Sequence, residues 1–207
     1  MTLVSVITPT WQRHEVLMDR CVQSVFAQTY PAIEHVVVSD GPDWTVAGLI
    51  ANDLWRRPLK TRPLRFEMLH THVEGTVDYG SRARNRGLEV AAGHYVAYLD
   101  DDNAYRPEHI ATLVAALQDS PDVDFAYSQM VTHPSGNLIG YREPQYGGID
   151  TSLLMHRAGV PQKYGMWPEP HEIAGDKHAP DWGVVERWLT AGAQWVHVPQ
   201  VTVDYYE

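Results

Sequence analysis

The chain has 207 residues, 44% of them hydrophobic and 20% charged, which is the composition of a folded globular protein and enough length for one full core. Its formal net charge of −10, from 26 acidic against 16 basic residues with no basic run, disfavours nucleic acid, whose phosphate backbone dominates affinity. Cys21 is the only cysteine, so an internal disulfide is excluded; with no apolar run of the ~18–20 residues that cross a bilayer, a cytoplasmic protein is expected.

Residues 3–7 are a short β-rich run that stops at Thr8-Pro9-Thr10, as a buried first strand ending in a loop does. Over 15–28, Leu17, Cys21 and Val25 stand four apart, which predicts a helix with one buried face and makes Cys21 an inert buried thiol. Residues 33–38 read as a second strand running into the turn formers Ser39-Asp40-Gly41-Pro42-Asp43. A helix around 45–55, a strand over 64–69, a helix over 82–92 and a strand over 94–99 follow. Asp100-Asp101-Asp102-Asn103 closes that fourth strand, and Pro107 opens a helix over 108–118. The alternation predicts a single α/β domain whose mostly parallel sheet carries helices on both faces. Ligands in such sheets bind beyond the carboxyl ends of the strands, so Thr8, Asp40 and Asp100 are expected to converge. Past residue 120 the pattern changes to a strand over 123–132, a turn at 134–137 and a return over 138–141, a mixed or antiparallel C-terminal half. Residues 143–148 and 165–180, rich in Gly, Pro and His, read as loops over the site.

Three adjacent carboxylates repel one another unless a cation neutralises them, and hard oxygen ligands suit Mg²⁺ or Mn²⁺. Mg²⁺ takes one or two carboxylates and completes its shell with phosphate and water, which a nucleotide diphosphate supplies. A solvated acidic turn, or a cluster favourable to the next helix's dipole, is the plainer alternative. The position at the end of a central strand favours the metal.

The segments Val4-Ser5-Val6-Ile7-Thr8-Pro9-Thr10, Ser24-Val25-Phe26-Ala27-Gln28-Thr29-Tyr30-Pro31, Val36-Val37-Val38-Ser39-Asp40-Gly41, Ala83-Arg84-Asn85-Arg86-Gly87-Leu88 and Tyr98-Leu99-Asp100-Asp101-Asp102-Asn103 together resemble the family-two inverting glycosyltransferases of GT-A fold. The resemblance is close over the first half, looser over the last thirty residues and only in outline over 120–175. It implies that residues 1–120 form a nucleotide-sugar-binding half and 121–207 an acceptor and catalytic half of one domain. It also implies a nucleotide-diphospho-sugar donor, UDP-linked, with Thr8, Thr10 and Asp40 at base and ribose and Arg84 or Arg82 at base or phosphate. Asp40, as an ionised acceptor, suits a uracil N–H. By the same resemblance Asp102 binds the metal, and Asp100 or Asp101 binds ribose or a metal-bound water. The run also aligns with Asp101 and Asp102 as the functional pair, so its register stays open.

Pro180-Asp181-Trp182, followed by Glu186-Arg187-Trp188-Leu189, resembles the family's acidic base at a helix start and makes Asp181 the general base. Inverting transfer needs one such carboxylate, since the metal stabilises the departing diphosphate. Family members often carry Glu directly before this Asp. Here Pro180 stands there, which leaves Glu172 and Asp176 as alternative bases and helix capping as an alternative role for Asp181. Trp167 and Trp182 are candidate sugar platforms. His178 and His197 are conceivable ligands that the metal site does not need. The implied partners are the donor and a hydroxyl-bearing acceptor, with a homo-oligomer open. A catalytically silent nucleotide-sugar or glycan-binding module and a nucleotidyltransferase are the rival readings, the latter expected to carry a Gly-rich loop where Thr8-Pro9-Thr10-Trp11 stands.

Overall fold

The computed structural model describes residues 1–56, 63–70, 72, 79–173 and 180–207. Strand β1 (Val4–Thr10) lies beside β2 (Ile33–Ser39) and β4 (Tyr95–Tyr98), and β2 lies beside β3 (Leu64–Met68), all in parallel. β1, β2 and β4 are almost wholly buried, as parallel strands covered on both faces are, whereas β3 at the edge buries only Leu64 fully. Neighbouring residues of β1 show the two coverings. Ile7 meets Gly87 of the Ser81–Val90 helix, whereas Thr8 meets Cys21 in the helical stretch 14–26, and successive strand residues point to opposite faces.

That helical stretch is not uniform: Leu17–Val22 is wound in wide π-type turns between His14–Val16 and Gln23–Phe26. The wide turn carries Arg20, whose Nη1 donates to the Asp102 carbonyl at 2.6 Å and whose guanidinium lies 3.7 Å above the Tyr206 ring. A local irregularity of this kind commonly marks a functional element. The helix expected around 45–55 spans Trp44–Arg56.

The second half extends the same sheet with mixed strand directions. Strand β8 (Leu154–Arg157) is antiparallel to β4 and to β6 (Phe125–His133), while β9 (Trp195–Tyr206) runs parallel to β6 and takes β5 (Ala104–Tyr105) at its outer edge. The order is β3-β2-β1-β4-β8-β6-β9-β5, with the short β7 (Leu138–Ile139) hairpinned onto β6. Helix His109–Asp119 buries Ile110, Leu113, Val114 and Leu117, and Pro180–Thr190 buries Val184, Val185 and Trp188. The stretch 165–180, expected as loop, contains a short helix, Pro170–Ile173; residues 174–179 lie outside the described residues. Among the described residues no helix is long and apolar enough to cross a membrane.

Candidate active site

The carboxyl ends of β1, β2 and β4 open into a cleft of about 490 Å³ lined by Asp40, Asp100, Asp101, Asp102, Asp150 and Asp181 together with Arg13 and Arg84. Six carboxylates against two guanidinium groups leave the lining strongly negative. A diphosphate entering alone would be repelled.

Thr10 ends β1 and its Oγ1 donates to Asp101 Oδ2 at 2.7 Å. Asp101 is 6% exposed, and burial raises its carboxyl above the usual range, opposed by Thr10 and Arg13. Arg13 reaches Asp101 Oδ1 at 3.2 Å and Asp102 Oδ2 at 2.5 Å. Asp100 is held by Arg84, whose Nη2 stands 2.6 Å from Oδ1; Arg84 also donates to the Tyr79 carbonyl and lies 4.8 Å from the Trp167 ring centre. The three aspartates therefore point to different partners: Asp100 to a fixed arginine, Asp101 inward to Thr10, Asp102 outward to Arg13.

Asp40 follows β2 and takes the His72 Nδ1 at 3.0 Å, with Arg82 Nη1 at 3.8 Å from its other oxygen. That second oxygen, Oδ1, is buried and makes no hydrogen bond among the described residues. Trp11, from the loop after β1, stacks on His72 with ring centres 4.4 Å apart and lines the cleft beside Asp40. Asp181 sits in the first turn of Pro180–Thr190, accepts the Trp182 amide at 2.8 Å and has its carboxyl raised, chiefly by burial and also by Asp100.

Thr8 was expected in the cleft and is not there. It lies two residues before the strand's carboxyl end, beneath the helical stretch 14–26, where its side chain is fully buried against His35 Nε2 at 2.9 Å and Cys21 Sγ at 3.4 Å. Cys21 is buried and free, its thiol pushed up by desolvation, as expected of an inert core cysteine. Trp167, considered as a sugar platform, is 1% exposed and belongs to the core; Trp182 is partly buried and packs against it. Glu172 is ion-paired to Arg187 at 2.7 Å and is not among the cleft residues, and His197 bonds the Gly140 carbonyl. Asp176 and His178 lie outside the described residues.

Two charged cleft residues have no counterpart in the sequence-based expectations. Arg13 stands three positions after Thr10, and its charge close to the carboxyl end of the first strand was the available signal. Asp150 caps the turn Thr151–Leu153 by accepting the Ser152 amide at 2.8 Å, and the Asp-x-Ser spacing is a capping pattern legible in sequence. Its carboxyl is pushed up to about 7 by burial first, then by Asp100 and Asp181.

Among the described residues no three carboxylate, histidine or cysteine side chains gather into a ready metal cluster. Asp102 offers a carboxylate oxygen already facing a cationic group, and Mg²⁺ or Mn²⁺ needs only one or two such ligands when phosphate and water complete the shell.

With this geometry in hand, the family is clear. Residues 5–166 match the family described as Glycosyl transferase family 2, and the chain belongs to it. An uncharacterized glycosyltransferase of Escherichia coli, YibD, is 32% identical over 58% of this chain and 32% of its own length. Glycosyltransferase GlyG of Streptococcus pneumoniae is 29% identical over 68% of this chain and 40% of its own. The chain thus spans about a third to two fifths of these relatives. Among solved structures, S. aureus TarS in complex with UDP-GlcNAc superposes with TM-score 0.75 at 18% identity, covering 99% of this chain and 58% of that one. Mannosyltransferase PcManGT from Pyrobaculum calidifontis, in complex with GDP-Man and Mn²⁺, gives 0.72 at 20% identity over 100% and 56%. The fold is the GT-A type that the sequence resemblance implied.

Proposed function

We propose that this domain transfers a sugar from a nucleotide-diphospho-sugar, UDP-linked, to an acceptor hydroxyl with inversion, using Mg²⁺ or Mn²⁺ and Asp181 as general base. The observation that carries the reading is the clustering of Asp40, the Asp100–Asp102 run, Arg84 and Asp181 around one cleft at the carboxyl edge of the parallel strands. Such an edge is where α/β sheets take nucleotides. The TarS and PcManGT complexes hold UDP-GlcNAc and GDP-Man on the same fold, and the second includes Mn²⁺.

Asp40 receives the base, its Oδ1 making no hydrogen bond among the described residues, with Trp11 as the flat neighbour a nucleobase stacks on, and Thr10 lies beside the ribose. Arg84, 5% exposed and clamped by Asp100 and Tyr79, presents a fixed positive charge towards the diphosphate. Asp102 holds the divalent cation, with Asp100 or Asp101 supporting it or the ribose. A cation held there would supply positive charge against the departing diphosphate. Asp181 accepts the proton of the acceptor hydroxyl while that oxygen attacks the anomeric carbon from the face opposite the departing diphosphate. One new C–O bond forms, one breaks, and the configuration inverts. A carboxyl raised by burial is a better base than an ordinary aspartate, because its proton affinity lies nearer the working pH.

The test separates binding from turnover. Asp181→Asn keeps the shape and the capping oxygen; it should bind UDP with unchanged affinity while UDP release from a UDP-sugar, by transfer or by slow hydrolysis, drops about 10²–10⁴-fold. Full turnover in that variant would remove Asp181 from the chemistry. A cleft that binds donor and never turns it over, with or without Asp181, would favour the binding-module reading.

A further inference from the structure

The two arginines of the cleft differ in freedom. Arg84 is 5% exposed and held by a carboxylate, a carbonyl and the Trp167 ring. Arg13 is 56% exposed, and among the described residues its side chain bonds the carboxylates of Asp101 and Asp102. Its backbone is anchored: the carbonyl accepts the Leu17 amide at 3.0 Å, and the preceding Gln12 sits in the left-handed region with φ 55°. Only the side chain has room to move. That room exists, since Arg13 and Asp102 form the border between the nucleotide cleft and a second groove of about 760 Å³ lined by His14, Arg20, His133 and Tyr206 among others.

A guanidinium 2.5 Å from Asp102 Oδ2 occupies the oxygen that a divalent cation would ligate. The two cations compete for it. Without an incoming anion, a metal that drives Arg13 away leaves a guanidinium stripped of its carboxylates. With a diphosphate present, the released guanidinium has phosphate oxygens that its planar fork can bind in pairs, within the cleft it already lines.

Resting on the metal-assisted reading above, we propose that Arg13 is the resident counter-ion of Asp101 and Asp102 in the empty cleft. It gives up Asp102 when a divalent cation and the donor diphosphate enter, and turns onto the diphosphate. Arg13 is thereby a positioning residue that couples the two ligands: it opposes bare metal and favours metal together with nucleotide. The coupling is reciprocal, so each ligand raises the affinity for the other by the same factor.

Mn²⁺ binding, followed by the paramagnetic resonance signal of the free ion, tests this on the wild type, R13Q, R13K and D102N, with and without UDP. R13Q should bind bare Mn²⁺ about tenfold more tightly than the wild type, within the span usual for coupled sites. The same variant should lose about tenfold of the gain in Mn²⁺ affinity that UDP brings. R13K, which keeps the charge without the fork, should fall between the two. Equal or weaker bare Mn²⁺ binding by R13Q and R13K, with the wild type binding Mn²⁺ normally in UDP, would overturn the role of Arg13 and leave the metal reading standing. Absence of Mn²⁺ binding in the wild type with UDP, indistinguishable from D102N, would overturn the metal reading and the competition with it.

Discussion

Asp150 accepts the Ser152 amide and shares the cleft with Asp100 and Asp181, and burial with those two charges pushes its carboxyl up to about 7. The linkage has a definite sign. Unfolded, this carboxyl titrates near ~3.9, so between about pH 4 and pH 7 the folded chain holds a proton that the unfolded chain has lost, and stability falls as pH rises through that window. Asp150→Asn removes the titration and retains an oxygen for the Ser152 amide. In EDTA it should match the wild type near pH 4.5 and be more stable by about 3 kcal/mol at pH 8, read from urea midpoints. A constant gap across pH would show that Asp150 titrates normally. No periodic pattern surrounds this residue; its importance arises from three remote segments meeting, which a local reading of Gly148-Ile149-Asp150 does not contain. Thr8 failed in the opposite way. The resemblance marked the whole Thr8-Pro9-Thr10 segment; Thr8 and Thr10 share one face of β1, but Thr8 lies beneath the helical stretch against His35 and Cys21, whereas Thr10 ends the strand at Asp101.

The elements that were legible are those whose burial is continuous. β1, β2 and β4 appear as unbroken Val, Ile and Tyr-rich runs because helices cover both faces, and Leu113 and Leu117 mark the helix His109–Asp119 by their spacing. β5, of two residues, and β8, of four, exist because longer strands offer them an edge, so no local signal announces them. One connection shows how tightly the legible half is joined. Gly93 precedes β4, its amide donates to Ser5 Oγ at 2.8 Å, Ser5 donates to Glu34 at 2.6 Å, and Glu34 also accepts the Ala92 amide. A Cβ at position 93 would stand 2.5 Å from the Ser5 backbone nitrogen, which cannot yield as a side chain would. Gly93→Ala should therefore cost about 1–3 kcal/mol by overpacking, seen as a lower urea midpoint at constant slope, with UDP affinity unchanged in the folded protein. A midpoint equal to the wild type would mean that β1 and this turn separate at no cost.

At the scale of the molecule, a net charge of −10 and a cleft lined by six carboxylates describe a protein that meets a doubly phosphorylated ligand only with added positive charge. On the proposed metal-assisted reading, Arg84 supplies a fixed share of it and a divalent cation at Asp102 the rest. The parallel half, which carries Thr10, Asp40 and the acidic run, was readable from alternation alone. The half that carries Asp150 and Asp181 was readable only in outline, because its strands reverse direction and its connecting segments lack period. Titration calorimetry of UDP into the wild type and into Asp102→Ala, each in Mn²⁺ and in EDTA, tests the central claim most directly. The wild type should bind UDP at least about tenfold more tightly with Mn²⁺ than in EDTA, a coupling that Asp102→Ala abolishes. UDP affinity that is the same in Mn²⁺ and EDTA, or a full Mn²⁺ effect in the variant, would contradict it.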